Sequence, residues 1–251
     1  MDKYFDSYRE MISLRGLTDH TLMSYSTYIR SYLEYLSDIL HKQPEEVTWA
    51  ELRDYIRWLQ HERSLSDRTI NTAISQLRFF TMYVLHKSWD DTQLPMRKFD
   101  SYLPYVPSKE TVQLFIDTLP TLKQKTMVAL MYSSGLRVGE VCQLKYSDIQ
   151  RSSMRIHVAK TKNRSSRYAI LSQKALALLT EYWYAYDRPM NWLFPAERDA
   201  SKPCKTGVLS RQVLEHRQRL TLDAGLNCHS FRHAFGTHLM NPVPTCLQSK
   251  N

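Results

Sequence analysis

Cys228-His229-Ser230-Phe231-Arg232-His233-Ala234-Phe235-Gly236-Thr237-His238-Leu239-Met240 is the stretch on which the reading of this chain turns. Phe231, Ala234, Phe235 and Leu239 recur at helical spacing, and Ser230 is placed to cap the start. His229 and Arg232 then share the first turn, where a phosphate fits. Upstream, Ser134-Gly135-Leu136-Arg137-Val138-Gly139-Glu140-Val141-Cys142-Gln143-Leu144 sets another arginine at a helix start between two glycines that allow close backbone approach. An ordinary surface arginine gains little there from the helix dipole, so the position itself favours a functional role for Arg137.

The rest of the composition agrees with a polyanion partner. The 251 residues carry 34 Lys and Arg against 25 Asp and Glu, a formal charge of +9. That surplus is what a nucleic-acid binder shows, although charge by itself does not separate DNA, RNA and an anionic membrane. A membrane is disfavoured, because no apolar run reaches spanning length and the N-terminus Met1-Asp2-Lys3-Tyr4-Phe5-Asp6 has no signal-peptide pattern. A cytoplasmic, nucleoid-associated location is expected. Cys142, Cys204, Cys228 and Cys246 are scattered without a C-x-x-C pair, which suggests neither a disulfide framework nor a zinc ribbon.

Periodicity divides the chain. Leu22, Tyr25, Ile29, Tyr32, Leu33 and Leu36 fall on one helical face behind Thr18; Leu52, Tyr55, Ile56 and Leu59 follow Thr48; Ile70, Ile74, Leu77 and Val84 follow Ser66. Residues 1–88 therefore predict a small helical bundle. Its polar faces hold Arg30, Arg53, Arg57, Arg63, Arg68, Arg78 and Lys87, either a solvated surface or a DNA-facing stripe. Pro95, Pro104 and Pro107 interrupt residues 89–107, which read as a linker. From 108 to 240 helical patterns resume behind Ser108, through Met127, Leu130 and Met131, and after Gly139. Met154, Ile156 and Val158 then alternate toward a turn at 161–166 and the strand 167–171, a β-hairpin. Helices are expected at 173–186 and 210–220, joined by the buried connector Leu193-Phe194-Pro195.

The arginine box and the H-x-x-R helix together resemble the catalytic domain of the tyrosine recombinase, or phage integrase, family, and the resemblance covers residues 1–240. It implies a mainly α fold with a small β-hairpin: an N-terminal helical core-binding domain of the SAM-like kind and a mixed α/β catalytic domain, together gripping duplex DNA. The implied reaction is metal-independent breakage and rejoining of DNA through a 3′-phosphotyrosyl link, with no cofactor. Without a metal, arginines must neutralise the phosphate, and forked guanidiniums suit that task. By resemblance Arg137 and Arg232 clamp the phosphate, and His229 assists proton transfer or holds a phosphate oxygen. Lys160 matches the hairpin lysine that protonates the leaving hydroxyl, with Lys162 a close competitor and a merely solvated lysine the plain alternative. Lys162, Arg164 and Arg167 are expected at backbone phosphates, where they position without reading sequence.

In the family the nucleophilic tyrosine lies beyond the H-x-x-R helix, whereas here no tyrosine follows Tyr186 and the 241–251 tail, with Pro242 and Pro244, matches nothing expected. The expectation is a domain truncated before its nucleophile box and deficient in cleavage alone, partnered by duplex DNA and by a full-length recombinase or other protomers. A non-catalytic duplex-binding regulator is the first alternative. A metal-dependent hydrolase using His229 and His233 is the second, weakened by the absence of a Glu in the H-E-x-x-H position.

Overall fold

The computed structural model describes residues 1–100, 103–159 and 166–240; Lys160, Lys162 and Arg164 lie outside them. The chain forms two compact units, Met1–Tyr102 and Leu103–Asn251.

Among its described residues the first unit has four α-helices, α1 (Asp2–Ser13), α2 (Asp19–Tyr35), α3 (Trp49–His61) and α4 (Asp67–Tyr83), with a π-helical turn at Leu36–Leu40 and a 3-10 turn at Pro44–Glu46. Thr18, Thr48 and Ser66 each accept the backbone N–H three residues on, satisfying a donor that helix geometry leaves unpaired. At α3 the cap is reciprocal, with Glu51 accepting from the Thr48 N–H at 2.9 Å. Ile29, Tyr32, Tyr55, Ile70, Ile74 and Phe80 close the core. Helix α1 adds an element to the bundle read from periodicity, and its Tyr4, Tyr8 and Ile12 are buried at a spacing of one helical turn. It is tied in by the Tyr8 hydroxyl, which donates to Gln76 Oε1 at 2.8 Å inside the core.

Beyond α4 the chain stays on this unit. Trp89 packs edge-on against Trp49, Leu94 is buried, and Arg97 bonds Asp67 and, through its backbone, Asn71. The seven basic residues of the polar faces all have partners within the unit. Arg57 and Arg78 pair with Asp54 and Asp91; Arg30, Arg63 and Arg68 lie over Phe5, Trp58 and Phe99. Arg53 donates to Gln93 and Lys87 to the Glu45 carbonyl. Such exposed pairs are worth little, so they leave these cations available to other anions.

The second unit runs α5 (Lys109–Thr118), α6 (Leu122–Ser134), α7 (Val138–Cys142), β1 (Ile149–Gln150), β2 (Arg155–Val158), β3 (Arg167–Ile170), α8 (Gln173–Ala185), β4 (Pro195–Ala196), β5 (Asp199–Pro203), α9 (Thr206–Arg219) and α10 (Cys228–Met240). Strands β1, β2 and β3 make one antiparallel sheet, with Val158 opposite Arg167; β4 and β5 make a second. Ile156 and Val158 send their side chains into a core shared with Phe115, Met131, Phe194 and Phe231. No helix among the described residues is long and apolar enough to cross a membrane.

Three expectations change in detail. Helix α10 begins at Cys228, so Ser230 lies inside it and Asn227 caps it: Asn227 Oδ1 accepts from His229 N at 2.8 Å, while the Asn227 N–H donates to Ser230 Oγ at 3.1 Å. Helix α9 starts at Thr206, a turn before its first strongly periodic residues. Of the two glycines flanking Arg137, only Gly135 is structurally required. It ends α6 at φ +62°, and a Cβ there would run into the Phe235 ring of α10; a Cβ at Gly139 would meet only Thr206 Cγ2 at 3.7 Å.

Gly135→Ala should therefore lose about 2–4 kcal/mol in urea denaturation, from left-handed strain plus overpacking. Gly139→Ala should be neutral or slightly stabilising, because alanine favours a helix interior. Equal losses for both would contradict this account of α6 and α10.

Candidate phosphate-binding site

Helix α7 has only five residues, too few to persist without tertiary support. Its support is a carboxylate. Glu140, three residues into the helix from Arg137, turns back so that Oε2 accepts the Arg137 backbone N–H at 2.8 Å and Oε1 accepts Arg137 Nη1 at 2.9 Å. From the sheet, Arg167 Nη2 donates to Oε2 at 2.6 Å. From α10, Arg232 Nη1 stands 3.8 Å from the same oxygen and donates to the Gly135 carbonyl.

One buried carboxylate thus gathers three guanidiniums from three separate elements. The Glu140 side chain is 5% exposed, whereas those of Arg137, Arg167 and Arg232 are 36%, 31% and 32% exposed. The negative charge lies beneath and the positive groups reach solvent. Three cations against one anion leave a surplus of two positive charges, and like charges held this close favour a multivalent anion over chloride. The crowding registers at Arg232. Burial lowers its proton affinity first, the Arg137 charge lowers it further, and Glu140 opposes the shift.

Each arginine reaches the group for a local reason. Arg137 occupies the N-cap of α7, immediately after the turn that only Gly135 accommodates. Arg167 is brought in by strand register, paired with buried Val158 on the adjacent strand. Arg232 rides on α10, which is fixed by Phe231 against Phe115 at 5.1 Å and by Phe235 over Gly135. His229, one turn before Arg232, is exposed at the start of α10.

Of the residues expected from the sequence, Arg137, Arg167 and Arg232 come together, and His229 shares the helix of Arg232. Lys160, Lys162 and Arg164 fall outside the described residues. Glu140 is the functional residue that the sequence reading leaves without a role; its spacing of three from Arg137 is the available signal. His238 Nδ1 faces the Tyr132 hydroxyl at 3.0 Å and His233 is exposed; among the described residues no three His, Cys, Asp or Glu side chains converge as a metal site would require.

Comparison with known proteins gives a consistent result. Residues 107–245 match the phage integrase family, and residues 4–91 match the N-terminal SAM-like domain of phage integrases. A Sinorhizobium fredii protein that carries the name integrase/recombinase y4qK is 31% identical over 92% of this chain and 73% of its own length. The tyrosine recombinase XerA of Thermococcus kodakarensis is 25% identical over 95% of this chain and 82% of its own. In fold, the chain is similar to a lambda integrase solved as a tetramer bound to a Holliday junction, with TM-score 0.77 and 18% identity, covering 96% of this chain and 70% of that one.

Glu140→Gln keeps the shape of the anchor and removes its charge, leaving three crowded cations. The expected cost is about 3 kcal/mol in chemical denaturation. Inorganic phosphate should restore much of the lost melting temperature by supplying the missing negative charge. An equal restoration by sodium chloride at matched ionic strength would show general screening instead.

Proposed function

The chain belongs to the phage integrase family, and from that membership we propose that it acts on duplex DNA in site-specific breakage and rejoining. The observation that carries this reading is the set of Arg137, Arg167 and Arg232 around one buried carboxylate, a surface built for a phosphodiester whose charge grows in the transition state. Arg137 and Arg232 clamp the two non-bridging oxygens. His229 lies one helical turn from Arg232 and assists at the same phosphate. Lys160 delivers the proton to the leaving 5′-oxygen, with Lys162 and Arg164 at flanking backbone phosphates.

Arg167 stands apart from the other hairpin cations in this scheme. Bonded to Glu140 at 2.6 Å, it supports the cleavage phosphate as well as the flanking backbone. No described tyrosine is assigned as nucleophile: Tyr132 faces His238, Tyr146 stacks on Trp183, and Tyr168 lies against His157. Charge neutralisation and positioning are the contributions this chain's described residues make. Further protomers on the DNA belong to the proposal, in keeping with the dimeric and tetrameric DNA complexes of its structural neighbours.

The test is ethylation interference on duplexes from the flanks of the chain's own gene. One ethylated phosphate should weaken the wild type and leave Arg137→Ala and Arg232→Ala indifferent, while each variant retains salt-sensitive binding with a slope reduced by about 1. Complete loss of duplex binding in either variant would contradict the assignment. On a nicked version of the same duplex, an SDS-resistant adduct marks strand cleavage. Binding without adduct instead marks a protein that occupies the site and regulates or competes with a recombinase.

A further inference from the structure

His216, near the end of α9, is buried, and none of the chemistry above uses it. Its ring stands edge-on to Phe115 of α5 at 4.8 Å, and its Nε2 lies 3.0 Å from the hydroxyl oxygen of Thr118, the last residue of α5. That hydroxyl has one proton, which it gives to the Leu114 carbonyl at 2.6 Å. Its oxygen is left as an acceptor, so Nε2 carries the ring hydrogen. Nδ1 is then the bare nitrogen, buried and without a hydrogen-bond partner among the described residues.

Most buried polar groups are satisfied, and a core histidine usually engages both nitrogens. This one engages a single nitrogen. A second proton would go to Nδ1, setting a donor and a full charge where no described acceptor meets them. Burial accordingly lowers the proton affinity of the ring; the Phe115 carbonyl opposes that shift, and the Arg219 charge on the last residue of α9 adds to it. The charged residues next in sequence are occupied elsewhere: Asp117 of α5 with Gln113, Glu215 with Arg211, and Arg217 with the Ala224 and Leu226 carbonyls. From α10 the nearest contribution is the apolar Phe231, packed against Phe115.

Phe115 joins this histidine to the arginine cluster. Its ring touches His216 at 4.8 Å and Phe231 at 5.1 Å, and Phe231 immediately precedes Arg232 on α10. We propose that His216 is an acid-sensitive latch between α5 and α9 that steadies the helix carrying Arg232. Neutral, the ring donates to Thr118 and packs edge-on against Phe115. Protonated, it holds an uncompensated charge between the two helices, which part locally to admit water and loosen Phe115 from Phe231. The fold favours the neutral ring, so this stabilisation is complete above the ordinary histidine value of about 6.5 and is lost as the pH falls below it. Mild acid thus weakens the seat of Arg232, and neutral pH restores it.

The experiment is an NMR titration of the full chain labelled with ¹⁵N-histidine, paired with hydrogen exchange read by mass spectrometry. His216 is assigned as the resonance missing from His216→Gln; where that variant fails to fold, Thr118→Val identifies it by the displaced Nε2 signal. At neutral pH the wild type should show a protonated Nε2 and a bare Nδ1, with a titration midpoint below about 6.5. The exchange rate of peptides from Cys228–Met240, taken as the ratio of wild type to His216→Gln at one pH, should rise several-fold between about pH 7.5 and about pH 5.5. Taking the ratio at one pH cancels the intrinsic acid dependence of exchange. A bare Nε2, a midpoint at or above 6.5, or a ratio that does not change with pH would each overturn the proposal. None of these readouts uses DNA, so they stand independently of the recombination reading.

Discussion

The attraction between one buried carboxylate and three guanidiniums organises the second unit. Glu140 lies under Arg137, Arg167 and Arg232, and the three belong to a helix start, a strand and a distant helix that share no local sequence. Alone, three cations so close would repel, and each would seek solvent. With the carboxylate among them they hold position and present their outer faces together. The arrangement works only if α10 packs tightly enough on α6 to deliver Arg232, which is why Gly135 must lack a side chain where Phe235 crosses it. Packing and electrostatics are thus one device, in which a glycine sets the distance and a carboxylate sets the charge.

That device leaves three guanidiniums facing solvent around one buried carboxylate. A carboxylate kept at 5% exposure restrains the arginines from beneath and leaves their outer faces to solvent. The surplus positive charge is left at the surface, preorganised before any ligand arrives. The short helix that carries Glu140 ends at the buried Cys142. Anything that moves that helix moves the charge balance.

Much of this fold is legible in the sequence, for identifiable reasons. Thr18, Thr48, Ser66 and Ser108 announce their helices because a capping hydroxyl ahead of a helical apolar period fits a helix start and little else, and Ile156 and Val158 announce a strand by alternation. Helix α1 is harder to see although Tyr4, Tyr8 and Ile12 carry a one-turn period, since tyrosines and charges dilute its apolar face. At α10 the sequence points to Ser230 as the cap, whereas Asn227 and Ser230 share that task reciprocally, a shift in register that a serine near a helix start invites. Strands of two residues, such as β1 and β4, exist through pairing with neighbouring strands and leave no local pattern. In the site, Arg137 and Arg232 stand out through their motifs. Arg167 joins them only by strand register, which is not written in local spacing.

The measurement that bears most directly on the central claim is an experimental structure of the chain on a duplex containing its own target. The account predicts one phosphate bound by Arg137, Arg167 and Arg232 at charge-assisted distances of about 2.7–2.9 Å, with Glu140 still beneath them. A complex in which the three guanidiniums remain turned to Glu140 and every phosphate is held by other cations would contradict it.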